Sequence, residues 1–120
     1  MLDGGQPEKP AILVISGEDG PLEKEVLAGI EEEGVPSVIE RPGDCDEAVA
    51  LACLAAGRSS LHVGVGIDSG GRICVQHDKL AQPLDELVSG PWPDLPAARV
   101  LGHNAARIVV GIPLIGDELS

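Results

Sequence analysis

Leu61–His77, LHVGVGIDSGGRICVQH, decides how the rest of this chain must fold. Leu61, Val63, Val65 and Ile67 alternate with His62, Gly64 and Gly66. Asp68-Ser69-Gly70-Gly71 then turns the chain, and Arg72–Gln76 carries it back. A period-2 run, a Gly-rich turn and a second short apolar run spell a β-hairpin. A turn this short forces the two strands to be antiparallel. Gly64 and Gly66 leave one face of the first strand almost bare, so another element must approach its backbone closely.

Upstream of the hairpin, strand and helix signals alternate, which demands parallel pairing. Residues 11–15, AILVI, form a continuous apolar run suited to a strand buried on both faces. Pro21 suits the first turn of a helix. Leu22, Val26, Leu27 and Ile30 recur at helical spacing, and Gly34 ends the run. Residues 37–40 read as a short second strand. Asp44 or Asp46 can cap a second helix over 47–56, terminated by Gly57. This helix, rich in Ala, Val, Leu and Cys, is apolar nearly all round, so it needs cover on two sides. The cover comes either from the turn-rich loop 78–95 or from another chain. That loop shows a short helical turn at 85–88. A third helix is expected from Pro96, with Val100, Leu101, Ala105 and Ile108 on one face, followed by a last strand over 109–114.

The expected architecture is therefore α/β: a three-layer sandwich around a five-stranded mixed sheet, order 2-1-3-4-5, with strand 4 antiparallel. Right-handed crossovers favour that order. Strand 4 ends at the bottom of the sheet and the third helix must start at the top, so loop 78–95 has to climb the edge. A length of 120 residues suits a single domain over 1–120, with 1–9 a flexible tail.

Composition narrows the function. There is no Phe, no Tyr and one Trp, so the core is small and aliphatic. A net charge of −12 argues against nucleic acid and against an anionic membrane surface. Cys45, Cys53 and Cys74 are an odd number without a CxxC pair and read as free thiols in a reducing cytoplasm. No apolar run is long enough to span a bilayer.

The chemistry-bearing candidates are few. Glu31-Glu32-Glu33 closes the first helix, where the negative end of the dipole disfavours anions by about 0.3–1 kcal/mol each. Such a run is either a solvated acidic end or a site for a hard cation or a basic partner surface. His62, His77 and His103 lack metal-ligand spacing, and Gly64-x-Gly66 opens no helix, so the dinucleotide fingerprint fails. No phosphate loop, GxSxG or nucleophile–base set is present. One enzyme reading stays open, a cryptic site around Cys74, His77 and His103.

Several segments together resemble a known family. They are Gly29-Ile30-Glu31-Glu32-Glu33-Gly34-Val35-Pro36, Leu54-Ala55-Ala56, Arg58-Ser59-Ser60, Val63–Ile67, Gly71, His77, Leu101-Gly102, Asn104–Arg107 and Pro113-Leu114. In one register over about residues 11–114, they resemble the small subunits of reactivating factors for adenosylcobalamin-dependent diol and glycerol dehydratases. The dehydratase medium subunit is similar too but carries additional chain, so length favours the reactivating factor over a dehydratase component. The resemblance implies the same five-stranded fold and a non-catalytic role with no cofactor of its own. Its partners would be a large, chaperone-like ATPase subunit and, transiently, a dehydratase holding damaged cobalamin. There the small subunit exchanges with the medium subunit. The resemblance further implies that Glu32, with Glu31 or Glu33 as substitutes, holds Mg²⁺ at the contact with the large subunit. The expected location is the cytoplasm, with microcompartment association left open.

Overall fold

The computed structural model describes residues 10–17, 19–43, 47–82 and 84–115. In chain order these residues form β1 (Ile12–Ser16), α1 (Pro21–Glu32), β2 (Ser37–Glu40), α2 (Ala48–Arg58), β3 (Val63–Ile67) and β4 (Ile73–His77). A single 3-10 turn (Asp85–Leu87) and α3 (Leu95–Val110) follow. The sheet order is β2-β1-β3-β4. β1 is parallel to β2 and β3, and β4 is antiparallel to β3, with Val65 opposite Val75 and Gly66 opposite Cys74.

Alternation sorts the strands onto two faces. Ile12, Val14, Val63, Val65, Ile67, Ile73 and Val75 point to the side where α1 and α3 pack, and they build the main core with Val26, Ile30, Leu101 and Ala105. Leu13 and Ile15 point the other way, onto Leu51 and Ala55 of α2. The three layers are thus α1 with α3, the sheet, and α2. The bare face of β3 is where α2 sits: a Cβ on Gly64 would lie 2.2 Å from the Ala56 nitrogen, and one on Gly66 2.2 Å from the Ala48 oxygen. α1 and α3 approach each other as closely. A Cβ on Gly29 would meet the Arg99 oxygen at 2.3 Å, and one on Gly102 the Val26 oxygen at 2.1 Å.

The fifth strand expected over 109–114 does not form; the described sheet has four strands. Val109 and Val110 continue α3 instead, because Val109 falls on the helical stripe that packs against the core. Gly111, at φ 77°, closes the helix, its N–H donating to the Arg107 carbonyl at 2.8 Å. The chain then folds back along α3. The Ile115 N–H donates to Asn104 Oδ1 at 2.7 Å, and Arg107 Nη1 donates to the Pro113 carbonyl at 3.1 Å. The outer edge of β4 is meanwhile occupied by the loop. Val88 bridges Cys74, the Ser89 N–H donates to the Ile73 carbonyl at 2.8 Å, and the Ile73 N–H donates to Ser89 Oγ at 2.9 Å.

The climb expected of loop 78–95 is observed. It passes from the end of β4 up to Ile73 and then to Gly71, whose carbonyl accepts from the Trp92 N–H at 3.1 Å. On the way Leu87 enters the α1/α3 core and Val88 packs on Ala48, Ala52 and Cys74. α3 begins at the top, where Asp94 caps it by accepting from the Ala97 N–H at 2.8 Å.

Two further expectations about α2 change. The helix runs on through Gly57 to Arg58. Its stop comes from Ser59, whose N–H reaches the Ala55 carbonyl at 2.9 Å and whose Oγ donates to the Ala11 carbonyl at 2.7 Å. The capping aspartates proposed at 44 and 46 lie outside the described residues, as do Cys45 and the tail 1–9. Among the described residues the side chain that reaches the start of α2 is Asp68, whose Oδ2 accepts from the Ala48 N–H at 3.1 Å. Nor does the loop cover the far side of α2: Val49, Cys53 and Leu54 remain exposed there.

Candidate functional site

α1 and α3 lie side by side and run in the same direction, with Glu25 level with Arg99 and Glu33 level with Arg107. Leu22, Val26 and Ile30 commit one face of α1 to the core. Glu25, Glu32 and Glu33 are thereby turned towards α3. On α3, Ala98, Leu101 and Ala105 face inward, which lines up Arg99, His103 and Arg107 at i, i+4 and i+8 along the seam with α1.

The result is a ladder of alternating charge. Arg99 donates from Nε to Glu25 at 2.9 Å and from Nη1 to Glu32 at 3.1 Å. His103 lies between two carboxylates, its Nε2 2.9 Å from Glu32 and its Nδ1 2.8 Å from Glu33. Arg107 donates from Nε to the same Glu33 oxygen at 2.9 Å. Glu32 and Glu33 are thus tolerated at the negative end of a helix dipole because α3 supplies Arg99 and Arg107, some seventy residues away in sequence.

The three glutamates are not equivalent. The Glu33 side chain is 14% exposed, and its Oε2 is shared by His103 and Arg107 of α3. The Arg107 guanidinium, and then His103, hold its carboxyl below the ordinary carboxylate range. Glu32 is half exposed, with Arg99 and His103 on its α3 side and solvent on the other. The Glu31 side chain is exposed and has no ion pair or hydrogen bond among the described residues.

A prediction about pH follows for Glu33. Its folded-state pKa is depressed, so the stability it adds is fully present above the ordinary carboxylate value of 4.5 and is lost as pH falls through its lower folded value. Urea unfolding of wild type and Glu33→Gln is expected to show the variant weaker at neutral pH. The gap should shrink as pH falls below the ordinary carboxylate range and the wild-type carboxylate protonates. A gap that stays constant over that fall would mean the Arg107 contact adds nothing.

Cys74, His77 and His103 are not one site. Cys74 faces α2 beneath Ala48 and Ala52. Burial, with Cys53 adding to it, pushes its thiol up to about 12, the opposite of an activated nucleophile. His77 ends β4, where its Nδ1 accepts from the Lys79 N–H at 3.0 Å. His103 is in the α1–α3 seam. In open α/β sheets ligands bind beyond the carboxyl ends of the strands, and here a side chain from the segment after β2 lies over that end of β1. There Arg41 reaches across, pairing with Glu23 and donating to the Ser16 carbonyl at 3.2 Å. An open groove of about 640 Å³ between β2 and α2 is lined by Val38, Glu40, Arg58, Ser59 and Ser60 among others. Its charged pair, Arg58 with Glu40, is closed on itself at 2.7 Å, and both serines bond the Ala11 backbone.

The sequence model of the family described as dehydratase medium subunit matches residues 9–115. The chain belongs to that family. It is 43% identical over 106 residues to the diol dehydratase-reactivating factor small subunit of Klebsiella michiganensis, covering 86% of this chain and 80% of that one. It is 40% identical over 89 residues to the propanediol dehydratase-reactivating factor small subunit of Citrobacter freundii, covering 74% and 75%. Among solved structures, a glycerol dehydratase reactivase superposes with a TM-score of 0.81 at 31% identity over 88% of this chain and 96% of that chain. A diol dehydratase-reactivating factor complexed with ADP and Mg²⁺ gives a TM-score of 0.79 at 38% identity over 89% and 98%.

In this member of the dehydratase medium-subunit family the end of α1 that the sequence singled out is acidic and partly exposed. Of the three residues named there, the structure gives Glu33 to α3 and leaves Glu31 and the outer side of Glu32 to solvent. Among the described residues no group of three His, Cys, Asp or Glu side chains is placed to hold a metal. One or two carboxylates exposed at a helix end fit a Mg²⁺ ion that keeps waters and takes its other ligands elsewhere. The sequence missed Arg99, His103 and Arg107 as partners of the acidic run. Their i, i+4, i+8 spacing was the available signal.

Proposed function

We propose that this chain is the non-catalytic small subunit of a reactivating factor for adenosylcobalamin-dependent diol or glycerol dehydratase. It binds a large ATPase subunit and gives way to, or exchanges with, the dehydratase's own medium subunit while damaged cobalamin leaves. The carrying observation is that a family model described as dehydratase medium subunit spans residues 9–115 of a chain whose relatives are reactivating-factor small subunits. Two proteins sharing a whole fold can compete for one docking surface. The Arg41–Glu23 pair over the end of β1 and the scattered Cys74, His77 and His103 support a binding role rather than a catalytic one. No described helix is long and apolar enough to cross a membrane, and we place the factor in the cytoplasm.

Docking uses the end of α1. Glu32, supported by Glu31, supplies a carboxylate to Mg²⁺ at the contact with the large subunit, and the partner supplies the remaining protein ligand. The ion offsets the unfavourable meeting of these carboxylates with the helix dipole. Glu33 takes no part, because its side chain is 14% exposed against 48% for Glu32, with Arg107 and His103 covering it.

The test is calorimetric titration of the purified small subunit into its large subunit with Mg²⁺ and with a chelator. Chelation and Glu32→Gln should each weaken binding by about tenfold, the loss of one charge-assisted contact. The small subunit alone should hydrolyse no ATP. Wild-type affinity that ignores both Mg²⁺ and Glu32→Gln would reduce the acidic end to a solvated face.

A further inference from the structure

Glu32 is already spoken for in the free subunit. One oxygen accepts from Arg99 at 3.1 Å and the other lies 2.9 Å from His103. A guanidinium on a carboxylate opposes the arrival of a second cation at the same oxygens, both by its charge and by using the lone pairs. Arg99, like His103, is divided between two carboxylates. Its second partner is Glu25, about two turns earlier on α1, bound through a separate nitrogen. Releasing Glu32 therefore leaves Arg99 paired, with its guanidinium still neutralised by Glu25.

We propose that Arg99 is a positioning residue that holds Glu32 against α3 in the free subunit and hands it over to the cation on docking, Glu25 retaining the guanidinium afterwards. The inference rests on the reading that Glu32 meets a divalent cation at the large subunit. It makes Glu25 and Arg99, neither of which touches that cation, opposing controls on docking. Removing Arg99 frees Glu32, so docking tightens. Removing Glu25 leaves Arg99 with Glu32 as its one carboxylate, so the hold strengthens and docking weakens.

The experiment measures affinity of the full-length small subunit for its large subunit, with Mg²⁺ and with a chelator, together with the thermal midpoint of each free variant. With Mg²⁺, Arg99→Gln is expected to bind about two- to fivefold tighter than wild type and Glu25→Gln about two- to fivefold weaker, the range of an exposed ion pair. The chelator should erase both differences. Both substitutions remove an α1–α3 ion pair, so both should lower the thermal midpoint. A purely structural role would move affinity in one direction for both, and that result overturns the inference. So does Mg²⁺-dependent wild-type binding that neither substitution alters. If wild-type binding is indifferent to Mg²⁺, the cation reading itself fails, and this inference with it.

Discussion

Gly66→Ala is expected to destabilise this protein by about 2–4 kcal/mol, the cost of forcing a methyl group into a packed backbone contact. The added Cβ would sit 2.2 Å from the Ala48 oxygen, 2.5 Å from the Ala52 nitrogen and 2.7 Å from the Leu51 Cβ. Two of those are helix backbone atoms, which cannot rotate away as a side-chain tip can. β3 cannot retreat either, because it is hydrogen-bonded to β1 on one side and β4 on the other. The strain must move α2 bodily off the sheet and loosen the cluster of Ala48, Ala52 and Cys74. Domains of this size are stable by roughly 5–15 kcal/mol in all, so the loss is a large share. Gly90→Ala is the control: nothing lies within 4 Å of its added Cβ, and it should change stability by less than about 0.5 kcal/mol. Urea midpoints of the two variants decide the matter. Equal midpoints would mean that α2 does not rest on the backbone of β3.

Asp68→Ala should cost about 3 kcal/mol, because one buried carboxylate serves three backbone N–H groups. Oδ1 accepts from Gly70 at 2.9 Å and Arg72 at 3.0 Å, closing the hairpin turn, while Oδ2 accepts from Ala48 at 3.1 Å, at the start of α2. The side chain thus couples the turn that reverses the sheet to the helix that covers its other face. With alanine the N–H groups lose a charged acceptor, and the ones shielded from water pay the full desolvation penalty. Asp68→Asn separates the two roles. Its oxygen can still serve the turn, but an NH₂ then faces the Ala48 N–H, so about half the loss is expected. Amide hydrogen exchange gives the readout by site: faster exchange at 70, 72 and 48 in Asp68→Ala, and at 48 alone in Asp68→Asn. Unchanged protection at Ala48 in both variants would remove Asp68 as the cap of α2.

The acidic end of α1 shows how far local reading reaches at the candidate site. Three consecutive glutamates were visible as an electrostatic anomaly, and their position at a helix end was correct. What the run could not reveal is that the anomaly is largely compensated. Arg99, His103 and Arg107 reach it only because Gly29 and Gly102 let α1 and α3 touch backbone to backbone. That contact divides three chemically identical side chains into one mostly enclosed against α3, one shared between α3 and solvent, and one facing solvent. The i, i+4, i+8 spacing of Arg99, His103 and Arg107 on α3 was legible as a stripe. Their partner was not, since nothing in a helix's own pattern says which neighbour it will lie against.

The sequence by itself determined the elements whose signal is short-range. The period-2 alternation of Leu61–Ile67 and the glycines of the turn dictate an antiparallel β3–β4 pair, since no other geometry closes in four residues. Alternating strand and helix patterns likewise dictate parallel β1, β2 and β3, and the Gly64/Gly66 face foretells the seat of α2. The end of the chain was decided by tertiary structure. Residues 108–110, Ile-Val-Val, are β-branched and suit a strand locally, but that preference is worth only tenths of a kcal/mol per residue. Packing Ile108 and Val109 against the core extends α3 instead, and the bonds from Asn104 to Ile115 hold the following residues along the helix. The place a fifth strand would need beside β4 is taken by Val88 and Ser89, a contact made across a loop that has no periodicity to read.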